Sequence, residues 1–338
     1  MKFREEIQLE EFNTLSLYAA KSAESRGRDI PEEKCQFRTE YQRDRDRIIH
    51  SKALRRLMHK TQVFIAPEKD HFRTRLTHTL EVSQISRTIA RALGLNEDLT
   101  EAIALGHDLG HTPYGHSGEK FLNMIHPEGF HHNVQSLRVV EVLEKTPSGK
   151  NLNLTKEVRD GILNHTGESK PFTLEGQVVK TSDRIAYINH DIDDALRAGV
   201  ISFQSLPKDC IDELGETHSA RINTLVTDMV ENSDGKNEIS MSKEKIEAMN
   251  TLRSFMFQHV YHAKAIVKEE EMDKIKNIMI SLYEHYLLHP SDLPMENQSM
   301  IERWGINEVV KDHVASMTDR YALRIYEEIM IPKFGLER

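Results

Sequence analysis

The stretch LTHTLEVSQISRTIARALGLNEDLTEAIALGHDLGH (76–111) decides the fold. His78, Val82, Ile85, Ile89 and Leu93 recur at i, i+4, i+7, i+11 and i+15, which is one face of an α-helix. Gly94 then supplies a residue free to take positive φ and ends that helix. A second helix opens near Asn96 or Asp98, with Glu101 in its first turns, and its apolar side carries Ile103 and leads to His107. Beyond it Gly106, Gly110, Pro113, Gly115 and Gly118 interrupt regularity.

Outward from this stretch the helical period continues. It predicts helices over 133–145, 155–165 (ending near Gly167), 177–198 after the loop GESKPFTLEG, 243–267, 270–288 and 307–330. The polar segment NSDGKNEISMS (232–242) reads as an exposed loop or a short hairpin, and as a soft boundary. The nearest approach to a strand pattern is TQVFI at 61–65, and no internal repeat or low-complexity segment occurs. The expected fold class is therefore mainly all-α. Its expected parts are an N-terminal helical segment (1–60), a core (61–200) and a C-terminal helical region (201–338) folded back on that core.

With 338 residues the chain can bury a substantial core without disulfides. Apolar residues at 38% and charged residues at 29% suit a soluble globular protein, and no apolar run reaches the length of a membrane span. The opening MKFREEIQLEEF has no apolar signal core, and Cys35 and Cys210 have no metal-type spacing, so a reducing, cytoplasmic location is expected. A net charge of -9 disfavours a general nucleic-acid-coating protein. Local charge differs: Arg43, Arg45, Arg47, Lys52, Arg55, Arg56 and Lys60 fall close together, and six of the eighteen histidines crowd between His107 and His132.

Chemistry concentrates in a few side chains. His78 lies on the apolar stripe of its helix and points inward. Asp183 lies on an inward face, four residues after Val179. A buried imidazole or carboxylate needs a partner. His107 and Asp108 would diverge by about 100° on a regular helix, but both can reach one ion where the helix is ending. A divalent cation would satisfy His78, His107, Asp108 and Asp183 together. This ligand set suits Mg, Mn, Co, Ni, Fe or Zn without choosing among them.

These segments resemble the HD-domain superfamily, and within it the deoxyguanosine triphosphate triphosphohydrolase (dGTPase-like) branch. The resemblance runs from about Arg43 to Tyr261. It is carried by YQRDRDRIIHSKALRRLMHKTQVF (41–64), RTRLTHTLEVSQISRTIAR (73–91), LGHDLGHTPYGHSGE (105–119), FHHNVQSLR (130–138) and DRIAYINHDIDDA (183–195). It implies the HD helical fold with additional C-terminal helices. It also implies one divalent metal on His78, His107, Asp108 and Asp183, and hydrolysis of a deoxynucleoside triphosphate to deoxynucleoside plus inorganic triphosphate.

On this reading a metal-bound hydroxide attacks the α-phosphorus, and the leaving 5′-oxygen needs a proton. His116 and Glu119, three residues apart in GHSGE, are the expected general acid and its orienter. Taken alone, His116 reads equally as a surface loop residue. His111 and His132 are expected to donate to phosphate oxygens, with His132 favoured over His131, while Asn133 is expected to cap the following helix.

Substrate contacts are implied for Arg75, Arg184, Arg253 and Lys264 on the triphosphate. Asp183, Tyr187 and Asp191 form one polar stripe at i, i+4 and i+8. Tyr187 would pack on the sugar. Asp191 and Gln62 would meet the 3′-hydroxyl, and Tyr261 would close over the 2′ position. On pattern alone Tyr187 and Tyr261 read as core residues.

The basic stretch 43–60 has two readings, a solvated helix face or a subunit contact or nucleotide-effector site. Relatives are often homo-oligomers, commonly hexamers. Single-stranded nucleic acid is disfavoured as a partner by the net charge, and no membrane association is expected. Two alternatives stay open: another HD phosphohydrolase, such as a 5′-nucleotidase or an alarmone hydrolase, and a non-catalytic nucleotide-sensing scaffold.

Overall fold

The computed structural model describes residues 2–62, 73–146, 149–261 and 269–332. Seventeen α-helices run through them. The first five are α1 (Arg4–Thr14), α2 (Glu40–Ile49), α3 (Lys52–Arg56), α4 (Arg75–Ala92) and α5 (Glu97–Gly106). Next come α6 (Gly115–Ile125), α7 (His132–Arg138), α8 (Lys156–Asn164), α9 (Leu174–Arg197), α10 (Lys208–Leu214) and α11 (His218–Ser233). The last six are α12 (Lys243–Met256), α13 (Glu269–Leu288), α14 (Met295–Gln298), α15 (Ile301–Trp304), α16 (Ile306–Ser316) and α17 (Asp319–Met330). Among the described residues β-pairing is limited to two isolated bridges, Thr61–Thr74 and Lys145–Asn151, and the fold is all-α as expected. No helix among them is long and apolar enough to cross a membrane.

Local signals explain where the central helices begin and end. Thr74 caps α4, its hydroxyl accepting from Thr77 N while Thr77 Oγ1 accepts from Thr74 N. Asn96 caps α5 by accepting from Leu99 N at 3.1 Å, and Gly94 takes φ +63° between them. α5 packs against α2, α4, α8 and α9, and from Leu99 to Gly106 only Glu101 is not buried. That helix can sit so deep because two glycines let it approach α8. A Cβ on Gly106 would stand 2.5 Å from Ile162, and one on Gly161 would stand 2.5 Å from Ile103.

Two apolar clusters result. The larger gathers Ile85, Ile89, Ile103, Val158, Ile162, Val178 and Ile185 around α5 and extends to Leu252 and Val260. The second joins Phe121, Leu122 and Phe130 to α13, α16 and α17 through Met279, Leu282, Val310 and Val314.

Several expected boundaries move. The helix expected over 307–330 is two, because Met317 is extended and Thr318 caps a new helix by accepting from Tyr321 N at 3.3 Å. The span 133–145 is α7 followed by a π-helical turn, Val139–Leu143. α9 starts earlier than 177, at the Thr173 cap. α12 ends at Met256 and passes into a π-helical turn, Phe257–Tyr261; the rest of the expected 243–267 helix lies outside the described residues. The segment after Gly115, expected to be irregular, is the helix α6, with Gly118 inside it. Of the stretch 232–242, the first two residues close α11 and the rest is turn and loop, tied by Ser240 N donating to Ser233 Oγ at 3.0 Å, not a β-hairpin.

Glu308 on α16 ties the two halves together. It meets His126 Nε2 at 3.4 Å and Arg138 Nε at 3.1 Å, and it also pairs with Lys311. The His126 hydrogen bond outweighs partial burial, with Lys311 and Arg138 adding to it, and holds the Glu308 carboxyl at about 2. A carboxyl depressed in the folded state stabilises it above the unfolded value near 4.5, and that stability is lost as pH falls towards 2. Thermal unfolding of Glu308→Gln is therefore expected to show a lower Tm at pH 7 and a shallower fall between pH 5 and pH 3 than the parent (pH values about those of the titration window). Parallel Tm curves for the two proteins would remove this network from the acid limb.

Candidate metal centre and active site

His78 points from α4 towards Asp183 on α9, Nε2 to Oδ1 at 3.0 Å. His107 is the residue at which α5 ends, and its Nε2 stands 3.5 Å from Asp108 Oδ1 and 3.8 Å from Asp183 Oδ1. The chain has left the helix at Asp108, which is why neighbouring residues can face one point. Nδ1 of His107 donates to Ala104 O at 2.6 Å. In the neutral ring that bond leaves a lone pair on Nε2, and Nε2 is buried with no partner among the described residues.

A buried, partnerless lone pair beside two carboxylates is the geometry a cation would complete. His78, His107 and Asp108 each offer a ligand atom within 4.8 Å of the others. The donor set of imidazoles and carboxylates thus fits a divalent ion. Burial disfavours the charged carboxylates, yet the surrounding cationic and imidazole groups win. Asp183, hydrogen-bonded to His78, is lowered to about 2, and Asp108, beside His107, His111 and Arg75, is held well below its ordinary value.

Arg75 completes the floor. It is 1% exposed, and its Nη1 donates to Asp108 Oδ2 at 2.8 Å. Its Nε and Nη2 are buried without partners among the described residues. Two spare guanidinium donors beside the cluster suit an anion.

A second group of histidines adjoins the first. His111 Nε2 lies 3.3 Å from Asp108 Oδ1, and its ring stacks on that of His132 at 4.1 Å. Burial, with Arg75 and His132 adding repulsion, keeps His111 neutral. Glu119 Oε1 accepts from His132 Nδ1 at 2.8 Å and from His132 N at 2.9 Å, while its Oε2 is 3.5 Å from His116 Nδ1. Glu119 thus holds His132 more closely than His116, whose side chain is 68% exposed. Burial opposes charge on His132, but the Glu119 bond outweighs it and raises that imidazole. The carboxyl of Glu119 is buried too, and its bonds to His116 and His132 hold it far below the ordinary range.

Of the adjacent pair, His132 enters this cluster and His131 is exposed. Asn133 does not cap α7, as had been expected. His131 occupies that position, and Asn133, inside the helix, donates to Leu163 O at 2.7 Å and ties α7 to α8.

The expected substrate residues lie around the same region. Asp183, Arg184, Tyr187 and Asp191 share α9, and the Tyr187 hydroxyl is pushed to about 12 by burial, in the field of Arg253, Asp183, Arg184 and Asp191. Tyr187 also packs partly against the main core. Arg184 donates to Asn250 Oδ1 at 2.7 Å, and Arg253 lies 5.3 Å from the Phe257 ring. Gln62 is buried with Oε1 unpartnered, and its carbonyl would sit 3.0 Å from a Cβ on Gly115. Tyr261 closes the π-helical turn; its side chain and the whole of Lys264 lie outside the described residues.

Two residues that sequence reasoning missed belong to this site. His165 is buried, its Nε2 3.3 Å from His132 Nε2 and its ring 5.0 Å from that of His107. Its local signature repeats that of His107. Each follows the last turn of a buried helix and returns Nδ1–H to the carbonyl three residues back, at 2.7 Å for Ile162 O.

Asp319, at the start of α17, accepts from Thr61 N at 2.9 Å and Tyr114 N at 2.9 Å, and from the Thr61 hydroxyl. Tyr114 stands at φ +62°, and its hydroxyl donates to Asp319 O at 3.1 Å. The C-terminal helices thereby set the entrance to α6 and the position of Gln62. Asp319→Ala is expected to raise KM about tenfold with metal content unchanged. A lowered Tm with unaltered KM would limit Asp319 to a structural role.

Comparison with known proteins accords with this arrangement. The HD domain model matches residues 75–188, and the model of the phosphohydrolase-associated domain matches residues 239–328. A phosphohydrolase from Bacteroides thetaiotaomicron VPI-5482 shares the fold at 18% identity, with a TM-score of 0.53 over 83% of this chain and 68% of that one. Fold and site together define an all-α, metal-dependent phosphohydrolase of the HD class. The deoxyguanosinetriphosphate triphosphohydrolase-like protein of Caldanaerobacter subterraneus subsp. tengcongensis is 59% identical over 338 residues, 100% of this chain and 98% of that protein. One of the same name from Clostridium tetani is 50% identical over 98% of this chain and 97% of its own length. The chain belongs to the family of deoxyguanosinetriphosphate triphosphohydrolase-like proteins.

Proposed function

We propose that this protein hydrolyses deoxynucleoside triphosphates to deoxynucleoside and inorganic triphosphate. The observation that carries the reading is the continuity of the two histidine groups. A cation-ready cluster passes through Asp108 and His111 directly into a carboxylate–imidazole pair, His132 and Glu119, with His116 at its open edge. An ion held by His78, His107, Asp108 and Asp183 would supply Lewis-acid polarisation of the phosphate.

The chain's own groups do the rest. Arg75, with two unpartnered donors, binds phosphate oxygens, and His111 and His132 donate to others. Water adds at the α-phosphorus, the bond from phosphorus to the 5′-oxygen breaks, and His116 gives that oxygen a proton. Glu119 keeps the neighbouring imidazoles oriented. Tyr187, Asp191 and Gln62 receive the sugar, with Arg184 and Arg253 on the phosphate chain. A sugar pocket that excludes a hydroxyl by shape yields a preference of about 10²-fold at most, not absolute discrimination.

The test is chromatographic. Each of the four deoxynucleoside triphosphates and GTP is incubated with Mg, Mn or Co, in ¹⁸O-water. Deoxynucleoside and intact triphosphate are expected, with the label in the triphosphate. Release of orthophosphate or pyrophosphate would overturn the reaction, label in the nucleoside would overturn attack at phosphorus, and equal turnover of GTP and dGTP would overturn the sugar pocket.

A further inference from the structure

The proposed metal ligands are not held alike. Nδ1 of His107 is fixed by Ala104 O, and Asp108 by the Arg75 guanidinium. His78 lacks such a tie. Its Nε2 faces Asp183, but its Nδ1 is buried with no hydrogen-bond partner among the described residues. A ligating imidazole ordinarily gives its second N–H to a carboxylate, a carbonyl or water, and that bond sets the plane of the ring. For His78, what remains to set the plane is packing. Its ring meets that of His107 at 5.7 Å and that of His190 at 6.2 Å, the latter at 87°.

His190 belongs to a polar group that the proposed reaction leaves unused. It lies on α9, two turns beyond Asp183, and is 2% exposed. Its Nδ1 stands 3.0 Å from Glu81 Oε2, a close contact outside hydrogen-bond alignment. Glu81 is one turn beyond His78 on α4, and both its oxygens accept from Arg73 Nε at 3.2 Å. Arg73 Nη1 donates onward to Asp194 Oδ1 on α9 at 2.7 Å. The His190 ring also stacks on that of His218, the first residue of α11, at 5.3 Å and 22°. Burial works against charge on Glu81, but His190 and Arg73 lower its carboxyl to about 2, and at neutral pH it is ionised.

We propose that His190 is a positioning residue of the metal centre. Backed by Glu81 and Arg73, it holds the His78 ring in the plane that turns Nε2 towards Asp183. The inference rests on the reading of His78 as a ligand. His190 is not itself a ligand: among the described residues, the groups able to share an ion do not include it. Its place is behind His78, where it does for that imidazole what Ala104 O does for His107.

The test is metal affinity, which needs no turnover. The full-length protein is stripped with a chelator, and binding of Mn²⁺ is followed by electron paramagnetic resonance well below the Tm of each variant. His190→Ala and Glu81→Gln are each expected to weaken Mn²⁺ binding about tenfold, the lower end for residues that orient a ligand. Arg73→Gln decides by sign. Loss of a cation near the centre would tighten Mn²⁺ binding by charge alone, whereas loss of the group that holds Glu81 should weaken it, again about tenfold. Glu97→Gln removes a carboxylate that Arg87 and Arg91 hold at the start of α5, and should leave the affinity unchanged. Glu81 and Arg73 are partly exposed, so their variants serve if His190→Ala does not fold. Parent-like affinity in both, even with a lowered Tm, would overturn the inference and leave a merely structural network. Tighter binding in Arg73→Gln would overturn it as well. No binding of Mn²⁺ by the parent would remove the metal centre itself, and this inference with it, so the two fail by different results.

Discussion

Asp183→Asn is expected to lose the bound metal and to lower kcat/KM by more than about 10²-fold, the upper end for residues that merely orient a ligand. The substitution keeps the shape of the side chain and removes its charge. Asp183 Oδ1 faces both imidazoles of the cluster, 3.0 Å from His78 Nε2 and 3.8 Å from His107 Nε2. With its carboxyl lowered to about 2, it is ionised throughout the neutral range, where an amide oxygen offers a much poorer ligand. The cost to the fold should be small, because the side chain is 18% exposed and α9 is anchored by Val178, Val179, Ile185 and Ile188. Elemental analysis of the purified variant, beside its Tm and turnover, separates the cases. Wild-type metal content with wild-type turnover would remove Asp183 from the centre, and the proposed chemistry with it.

Glu119→Gln should leave metal content intact and lower kcat by roughly 10²–10⁴-fold, the usual contribution of positioned acid–base groups. The carboxylate accepts two bonds from His132 and faces His116, so its removal withdraws charge from both imidazoles at once. The sign of the pH effect follows. Glu119 raises the His132 imidazole against the opposing effect of burial, so in the variant that imidazole loses its proton at lower pH. If the protonated form is the working one, the alkaline limb of kcat moves to lower pH. Loss of metal together with activity would instead make Glu119 a support for the cluster.

Much of this site was legible locally. The stripe through His78 and Leu93, the stop at Gly94 and a helix start near Asn96 or Asp98 follow from periodicity and side-chain chemistry; α4 and α5 lie where those signals put them, and the structure places the cap at Asn96. So does the escape of Asp108 from the helix, which the glycines announce. Legibility failed where helical period and tertiary need disagree. The 307–330 span has a continuous apolar pattern, but Thr318 breaks it so that Asp319 can reach Thr61 and Tyr114, more than two hundred residues away. His165 escaped notice because its signature, a histidine closing the last turn of a buried helix, becomes chemical only beside His132.

By itself the amino-acid order determined an all-α chain, the inward faces of α4 and α9 and the residue types able to hold a cation, because helical period and capping act within a few turns. Only the tertiary structure decided that Glu119 bonds His132 more closely than His116, that His165 joins the cluster, and that the first half of the basic stretch is neutralised while part of its second half borders a cavity. Those outcomes depend on how helices far apart in the chain cross, and α5 crosses α8 at the distance it does because Gly106 and Gly161 leave room for Ile162 and Ile103.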